Sequence, residues 1–294
     1  MADAVPLLFD TDIGSDIDDA VCLSYLLAEP RCQLLGVSTV TGEAQKRAML
    51  ADAICRVAGR TDVPVWSGAE QPLLVSQGQP AAPQAEVLPR WPHREDFPAN
   101  EAVCKLRQVI RERPGEVTLL TVGPLTNIGL LFALDPPAAA MLKRMVIMGG
   151  MFFGDRMAEW NIKCDPHAAA VVFRAPVPEV RVCGLDVTTK CQKSAEECRR
   201  RFRGGPLDVV AQMAEVWFRH RELITFHDPL AGVCALEPKV CTWRRGRVDV
   251  LHGDPKLAGL TALAESAEGA HFVADTVNPD RFFELYFQTV GVFG

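Results

Sequence analysis

The chain has 294 residues, 48% hydrophobic and 23% charged, with a formal net charge of −6 at pH 7. That composition predicts a soluble globular protein with a core large enough for one α/β domain. The acidic balance excludes electrostatic attraction to nucleic acid, and no stretch reaches the roughly 18 apolar residues of a membrane span.

The start, Met1-Ala2-Asp3-Ala4, lacks the basic beginning and cleavage site of a secretory leader. The ten cysteines form no Cys-x-x-Cys pair. They read as reduced, mostly buried thiols of a cytoplasmic protein, not as disulfides or a zinc site.

The first apolar run predicts a strand over Pro6–Phe9. It ends in "DTDIGSDIDDA", residues 10–20, which holds Asp10, Asp12, Asp16, Asp18 and Asp19. Two carboxylates about 4 Å apart repel by roughly 1 kcal/mol in water and about 4 kcal/mol near a protein surface. A bound cation, a shared proton or solvation must offset that. Gly14 allows a tight turn, and a helix over Asp18–Ala28 follows. Acids suit the positive end of its dipole. Capping accounts for one or two aspartates, but not for five with Asp10 and Asp12 still on the strand side. Hard carboxylate oxygens favour calcium or magnesium. The spacing is not that of an EF-hand, because Gly14 and Val21 stand where that loop wants its third and last ligands.

Further strands are predicted at Leu34–Val40, Val63–Trp66, Val117–Val122, Met145–Met148 and Val180–Leu185. Helices are predicted at Gln45–Ala58, Glu101–Arg113, Leu125–Leu134, Pro166–Arg174 and Ser194–Phe202. Alternating strands and helices imply a mainly parallel sheet covered on both faces, with ligands bound outside the carboxyl ends of its strands. Residues 70–99, rich in Pro, Gln and Ala, read as a long excursion loop and a candidate lid. Leu207–Glu237 reads as mainly helical, "CTWRRGRVDVL" as a strand, and "NPDRFFELYFQTV" as a closing helix starting near Asn278 or Pro279. Arg199–Arg203 reads as a solvated helix end. The whole, 1–294, reads as a single domain with helical insertions toward its C-terminal half.

Three more stretches carry polar groups that invite a role. "FHDPLA" places His227 beside Asp228, with a helix cap as the plain reading of Asp228. "AEWNIKCDPHAA" places Glu159 and Asn161 in a loop ahead of a helix that Asp165 caps and Pro166 opens. "TVGPLTNIG" turns from a strand end through Gly123-Pro124 into a helix, and its carbonyls face either a cation or simply a turn.

These four stretches, in this order, resemble the nucleoside hydrolases, the inosine–uridine-preferring ribohydrolase family. "GVSTVTG", the "MGG" of 148–150 and the "GLDVT" of 184–188 add to the match, which covers nearly the whole chain. The resemblance implies a calcium ion held by Asp12, Asp19, Asp228 and the backbone carbonyl of Val122, with Asp10 supporting the cluster. It implies that Asp18 binds a ribose hydroxyl, that Glu159 and Asn161 hold the ribose on its other side, and that His227 sits near the departing base. It also implies a homodimer or homotetramer.

The match departs in places. The family's shorter form reads Asp-x-Asp-x-Gly-x-Asp-Asp, so Asp16 is extra here, as a ligand, a supporting acid or a solvent-facing one. Glu43 stands where an Asn often touches the ribose. The usual His-Gly pair of the following loop is absent, although His93 is near in sequence, and Thr189-Lys190 replaces a common Asn.

Cleaving a ribose–base bond passes through an oxocarbenium-like sugar. A cation lowers the pKa of a water and can hold the ribose diol, and an acid neutralises the leaving base. Asp12 is assigned as general base and His227 as candidate acid. Trp160, Trp217 and Phe226 are candidates to pack the base, with the core as their competing placement. The leading expectation is calcium-dependent hydrolysis of ribonucleosides to base and ribose. The alternatives are a homologue that binds a nucleoside or ribose without turnover, and a magnesium-dependent phosphatase of the haloacid-dehalogenase type. The latter shares Asp-x-Asp but wants Thr or Val where Gly14 stands.

Overall fold

In a computed structural model the described residues are 4–154 and 157–294. The first half runs β1 (Val5–Thr11), α1 (Asp18–Ala28), β2 (Cys32–Thr39), α2 (Ala44–Val57), β3 (Val65–Ser67), a 3-10 turn over Pro83–Arg90, α3 (Ala102–Glu112) and β4 (Thr118–Thr121). Next come α4 (Thr126–Leu134), α5 (Pro137–Ala140), β5 (Arg144–Met148), α6 (Trp160–Cys164), α7 (Pro166–Arg174), β6 (Val180–Cys183) and α8 (Leu185–Thr188). The last part holds β7 (Gln192–Ser194), α9 (Ala195–Arg201), α10 (Pro206–Phe218), β8 (Leu223–Thr225) and α11 (His227–Leu236). It closes with β9 (Cys241–Val250), β10 (Thr261–Glu265), β11 (His271–Val277) and α12 (Pro279–Val290).

One nine-stranded sheet runs β10-β9-β11-β6-β5-β4-β1-β2-β3. Its strands from β3 to β11 are parallel, and β9 alone pairs antiparallel with both neighbours. The chain winds outward from β1 through β2 and β3, then returns to place β4 on the other side of β1. That reversal opens a crevice beyond the carboxyl ends of β1 and β4. Asp10, Thr11 and Asp12 leave β1 there, and Val122 leaves β4 there. Helices cover both faces, as the apolar strand runs require: Leu7 and Phe9 join one core layer, Leu8 and Leu119 the other.

The expected strands and helices are present, with shifted ends. Three features differ from the sequence reading. Residues 252–277, which carried no assignment, supply β10 and β11. The helical stretch 207–237 is broken by β8, which pairs with β7 in a small two-stranded sheet. Glu159 and Asn161 do not lie in a loop; Glu159 caps α6 and accepts from the N–H groups of Asn161 (2.9 Å) and Ile162 (3.1 Å). The Asp165 cap read from sequence does form, accepting from Ala168 N–H, whereas Asp228 lies in the first turn of α11 and does not cap it; Ser194 and Asn278 also cap, accepting from Glu197 N–H and Arg281 N–H.

Nine cysteines are buried and free, and Cys104 is exposed. Arg199, Arg200 and Arg201 pair with Glu215, Glu196 and Glu197 in solvent. Among the described residues no helix is long and apolar enough to cross a membrane.

The closing helix fixes the geometry of the crevice from behind. Phe226, fully buried, meets Phe282, Phe283, Tyr286 and Phe287 of α12 with ring centres 5.2–6.2 Å apart. Tyr286 stacks on Tyr25 of α1 at 5.9 Å, and its hydroxyl donates to the carbonyl of Val21. Phe226 is thus core and not a base-packing residue, a correction of the sequence expectation. Its ring is held by four aromatic neighbours because α12 and α11 must meet without solvent. Truncating Phe226→Ala removes the anchor of α11, and chemical denaturation is expected to show a loss of about 3–5 kcal/mol. A loss below about 1 kcal/mol would show that α12 does not hold α11 through this ring.

Candidate active site

The turn after β1 is shaped by Gly14, whose φ of +116° suits glycine and whose missing Cβ would lie 2.8 Å from Leu50. It delivers Asp12, Asp16, Asp18 and Asp19 to the crevice. From the far end of the chain, α11 brings Asp228, whose N–H donates to Asp18 Oδ2 at 3.1 Å. Oxygens of Asp18, Asp19 and Asp228 lie within 4.8 Å of one another, all three side chains buried. Asp12 is outside that trio but lines the same cavity, which measures about 690 Å³. So do Asp16, Val122, Glu159, Asn161 and His227. Nine of the eleven singled-out residues therefore share one cavity.

The other two do not line it. Asp10 lies beneath the floor, where its Oδ1 accepts from Ser38 and from Asn127 (2.8 Å) while its Oδ2 is buried without a partner. Glu43 faces away. Its Oε1 pairs with Lys46 and its Oε2 accepts from the N–H of Ala82 at 2.8 Å. The structure thus gives Glu43 a grip on the excursion loop, not a place beside a sugar. Its backbone explains the aim: Glu43 and Thr41 both hold positive φ, 58° and 69°. Such conformations cost non-glycine residues about 1–3 kcal/mol each. Between them Gly42 admits the backbone of Pro80, 2.5 Å from where a Cβ would sit.

Sequence reasoning missed two residues. Arg47, fully buried on α2, reaches under the turn. Its guanidinium donates to the carbonyls of Asp12 and Ile13, to Ser15 Oγ and to the carbonyls of Gly42 and Ala81. Gln79, on the excursion loop, donates from Nε2 to Asp12 Oδ2 at 2.6 Å and to Ser15 Oγ at 3.0 Å. Only a three-dimensional neighbourhood marks either one, since Arg47 reads as one of many polar helix positions. His93, which the sequence placed near the missing loop histidine, donates locally from Nδ1 to the carbonyl of Trp91.

Burial dominates the electrostatics. It raises all the aspartates of the cluster above the ordinary carboxylate range, Asp10 to about 7 and Asp16 to about 6. Burial raises Asp18, Asp19 and Asp228 most; after it Asp16 and Asp19 raise Asp18, Asp12 raises Asp19, and Asp18 and Asp19 raise Asp228. For Asp12 burial again raises, opposed first by Arg47 and then by the Gln79 hydrogen bond. Burial pushes His227 down to about 4, and its Nδ1 meets Thr188 Oγ1 at 2.7 Å. The imidazole is therefore neutral near pH 7.

A hard divalent cation fits this donor set. The ligand atoms are carboxylate oxygens, they converge, and they repel in the absence of a countercharge. Val122 lines the same cavity, and its carbonyl accepts from Asn161 Nδ2 at 2.6 Å. Glu159 also accepts from the N–H of Gly150 at 3.0 Å, which ties the α6 wall to β5. Trp160 and Trp217 line the cavity, as expected for base-packing candidates.

Carboxyls raised on folding hold protons that the unfolded chain releases. In chelator their contribution to stability is present below about pH 4, and it is lost as pH rises through about 6 to 7. Denaturation across that range should show stability falling, the reverse of ordinary paired carboxylates. Saturating calcium, which takes the ionised form, should remove most of the slope. A stability that rises with pH in chelator would contradict the raised values.

A family model described as inosine–uridine preferring nucleoside hydrolase matches residues 7–284. The pyrimidine-specific ribonucleoside hydrolase RihA of Citrobacter koseri is 32% identical over 265 residues, 81% of each chain. Uridine nucleosidase 1 of Arabidopsis thaliana is 30% identical over 267 residues, 83% of this chain and 77% of that one. Among solved structures, a plant nucleoside hydrolase, PpNRh1, superposes with a TM-score of 0.84 at 25% identity, covering 97% and 98% of the two chains. The purine-preferring ribonucleoside hydrolase of Gardnerella vaginalis shares the fold, with a TM-score of 0.84 at 23% identity over 98% of each chain.

Proposed function

The chain belongs to the inosine–uridine preferring nucleoside hydrolase family, hydrolases of ribonucleoside N-glycosyl bonds, and from that premise we propose a calcium-dependent reaction in the cavity at β1. The observation that carries this reading is the convergence of Asp18, Asp19 and Asp228 beside Asp12, in a crevice large enough for a nucleoside. Asp12, Asp19, Asp228 and the Val122 carbonyl would hold the ion, with Asp18 close enough to share it. When bound, the ion would lower the pKa of a water molecule and orient the ribose diol.

The protein's own groups do the rest. Asp12 takes the proton of the attacking water as general base. Asp18 hydrogen-bonds a ribose hydroxyl from the aspartate side. Glu159 and Asn161 face it across the cavity, and both are rigidly held, Glu159 by three backbone N–H groups and Asn161 by the Val122 carbonyl. Such fixed geometry lowers the entropy cost of bringing sugar and water together. Trp160 and Trp217 exclude water around the base. His227, neutral in its buried setting, donates its N–H toward the departing base instead of arriving as a preformed cation. Asp16, half-buried at the rim, fits a supporting acid, since its Oδ1 accepts from the N–H of Ile17 in its own turn.

Steady-state base release from inosine, uridine, cytidine, adenosine and guanosine tests the proposal. Release is expected with calcium, lost on chelation, and reduced by at least about 100-fold in Asp12→Ala, the scale of a removed general base. No release from any of the five, with calcium bound by calorimetry, would favour a binding homologue instead. Release unaffected by chelation would leave the enzyme class standing and remove the ion.

A further inference from the structure

On the N-glycosidase reading above, we propose that Gln79 is a positioning residue that spans the cavity, locking the Asp12 carboxylate on one wall to Trp160 on the other. Gln79 is 8% exposed although it stands in the long excursion loop. Its two amide ends face opposite ways. The NH2 donates to Asp12 Oδ2 and to Ser15 Oγ. The carbonyl oxygen accepts from the indole N–H of Trp160. Asp12 follows β1 and Trp160 opens α6, elements that share no strand or turn, so this side chain is what joins them across the opening.

The loop is fastened so that Gln79 can do this. Gln79 N–H donates to Gln77 Oε1 at 2.7 Å, and Thr41 Oγ1 donates to the same oxygen at 3.1 Å. Two residues on, the Ala81 carbonyl accepts from Arg47 and from Ser15. Ser15 therefore sits between the buried Arg47 guanidinium and the Gln79 amide, and Ser15 belongs to the extended turn that also carries Asp16.

A carboxylate on a short turn has free rotation about its terminal torsion. A fixed N–H on one oxygen selects a single orientation and leaves the other oxygen for the cavity. An amide is the group for this bridge, because it presents a donor to an acid and an acceptor to an indole at once. Glutamate has the same shape but meets Asp12 with an acceptor.

Three variants test the assignment: Gln79→Ala, Gln79→Glu and Trp160→Phe. On the best nucleoside of the wild-type panel, Gln79→Ala should lower kcat about 10- to 30-fold with KM changed less than about threefold, as for a group that orients the base in the reacting complex. Gln79→Glu should be worse than Gln79→Ala, although it fills the same space. Trp160→Phe should lower kcat less than Gln79→Ala, and the double variant should fall short of the product of the two, since both cut one bridge. Calcium affinity, read by calorimetry with the ion alone, should stay within about threefold of wild type. Equal kcat for Gln79→Glu and wild type, an effect on KM alone, or a tenfold loss of calcium affinity would overturn the assignment. If the Gln79 variants fail to fold, independence of Trp160→Phe from wild type in kcat overturns it alone. A wild type that releases no base from any nucleoside would overturn the N-glycosidase reading, and Gln79 with it. A turning-over wild type with indifferent Gln79 variants overturns only Gln79.

Discussion

Mutual repulsion among buried carboxylates is the constraint around which this structure is arranged. Asp10, Asp12, Asp18, Asp19, Asp228 and Glu159 all sit at 6% exposure or less. Taking even one such charge out of water costs several kcal/mol after relaxation, unless it is paired or hydrogen-bonded. The chain answers in layers. Asp18 and Asp19 stand in the first turn of α1, at the positive end of its dipole, and accept from the N–H groups of Asp228 and Asp12 respectively. Thr11 donates to Asp19, Ser38 and Asn127 donate to Asp10, and Arg47 supplies one full positive charge from below. One guanidinium cannot balance so many acids, and the deficit is what a divalent cation would fill.

The same layers connect charge to shape. Arg47 lies on the helix after the 41–43 turn, and that turn holds two non-glycine residues in the left-handed region. Strain of this kind persists only where surrounding contacts over-determine it. Here the contacts are those to the excursion loop: Thr41 with Gln77, Gly42 against Pro80, and Glu43 with Ala82. The loop is therefore stitched down beside the cavity by side chains that are themselves locked. A loop of this length would otherwise be among the least stable parts of the molecule.

Much of this was legible in the sequence, and the rest was hidden for identifiable reasons. The parallel sheet followed from apolar runs such as Leu34–Val40 alternating with helical patterns, and the site followed from aspartates placed at a strand end. Asp228 could be paired with them only through the family resemblance, since no local pattern links positions so distant. The missing strands β10 and β11 are short, five and seven residues with no unbroken apolar run longer than three, so their pairing with β9 and not their pattern makes them strands. Phe226 was open to two placements because an aromatic beside a polar motif reads the same whether it faces ligand or core. Arg47 and Gln79 were invisible because their partners are backbone carbonyls and side chains of other elements. Glu43 was misplaced because chemistry at one position cannot reveal a positive φ that turns its side chain away.

Two kinds of residue thus hold the cavity, and they differ in what they risk. The aspartates carry the fold's electrostatic balance as well as the chemistry proposed for them, since each is buried and each affects its neighbours' protonation. Altering one changes stability, ion affinity and reactivity together, so none of those effects can be read alone. Gln79 is a neutral amide on the excursion loop and Glu43 an acid of the 41–43 turn, both outside the convergent trio and both fastening the loop by hydrogen bonds. In this chain Gln79 of the excursion loop fastens the β1–α1 turn through Ser15, and Glu43 fastens the 41–43 turn to the same loop through Ala82.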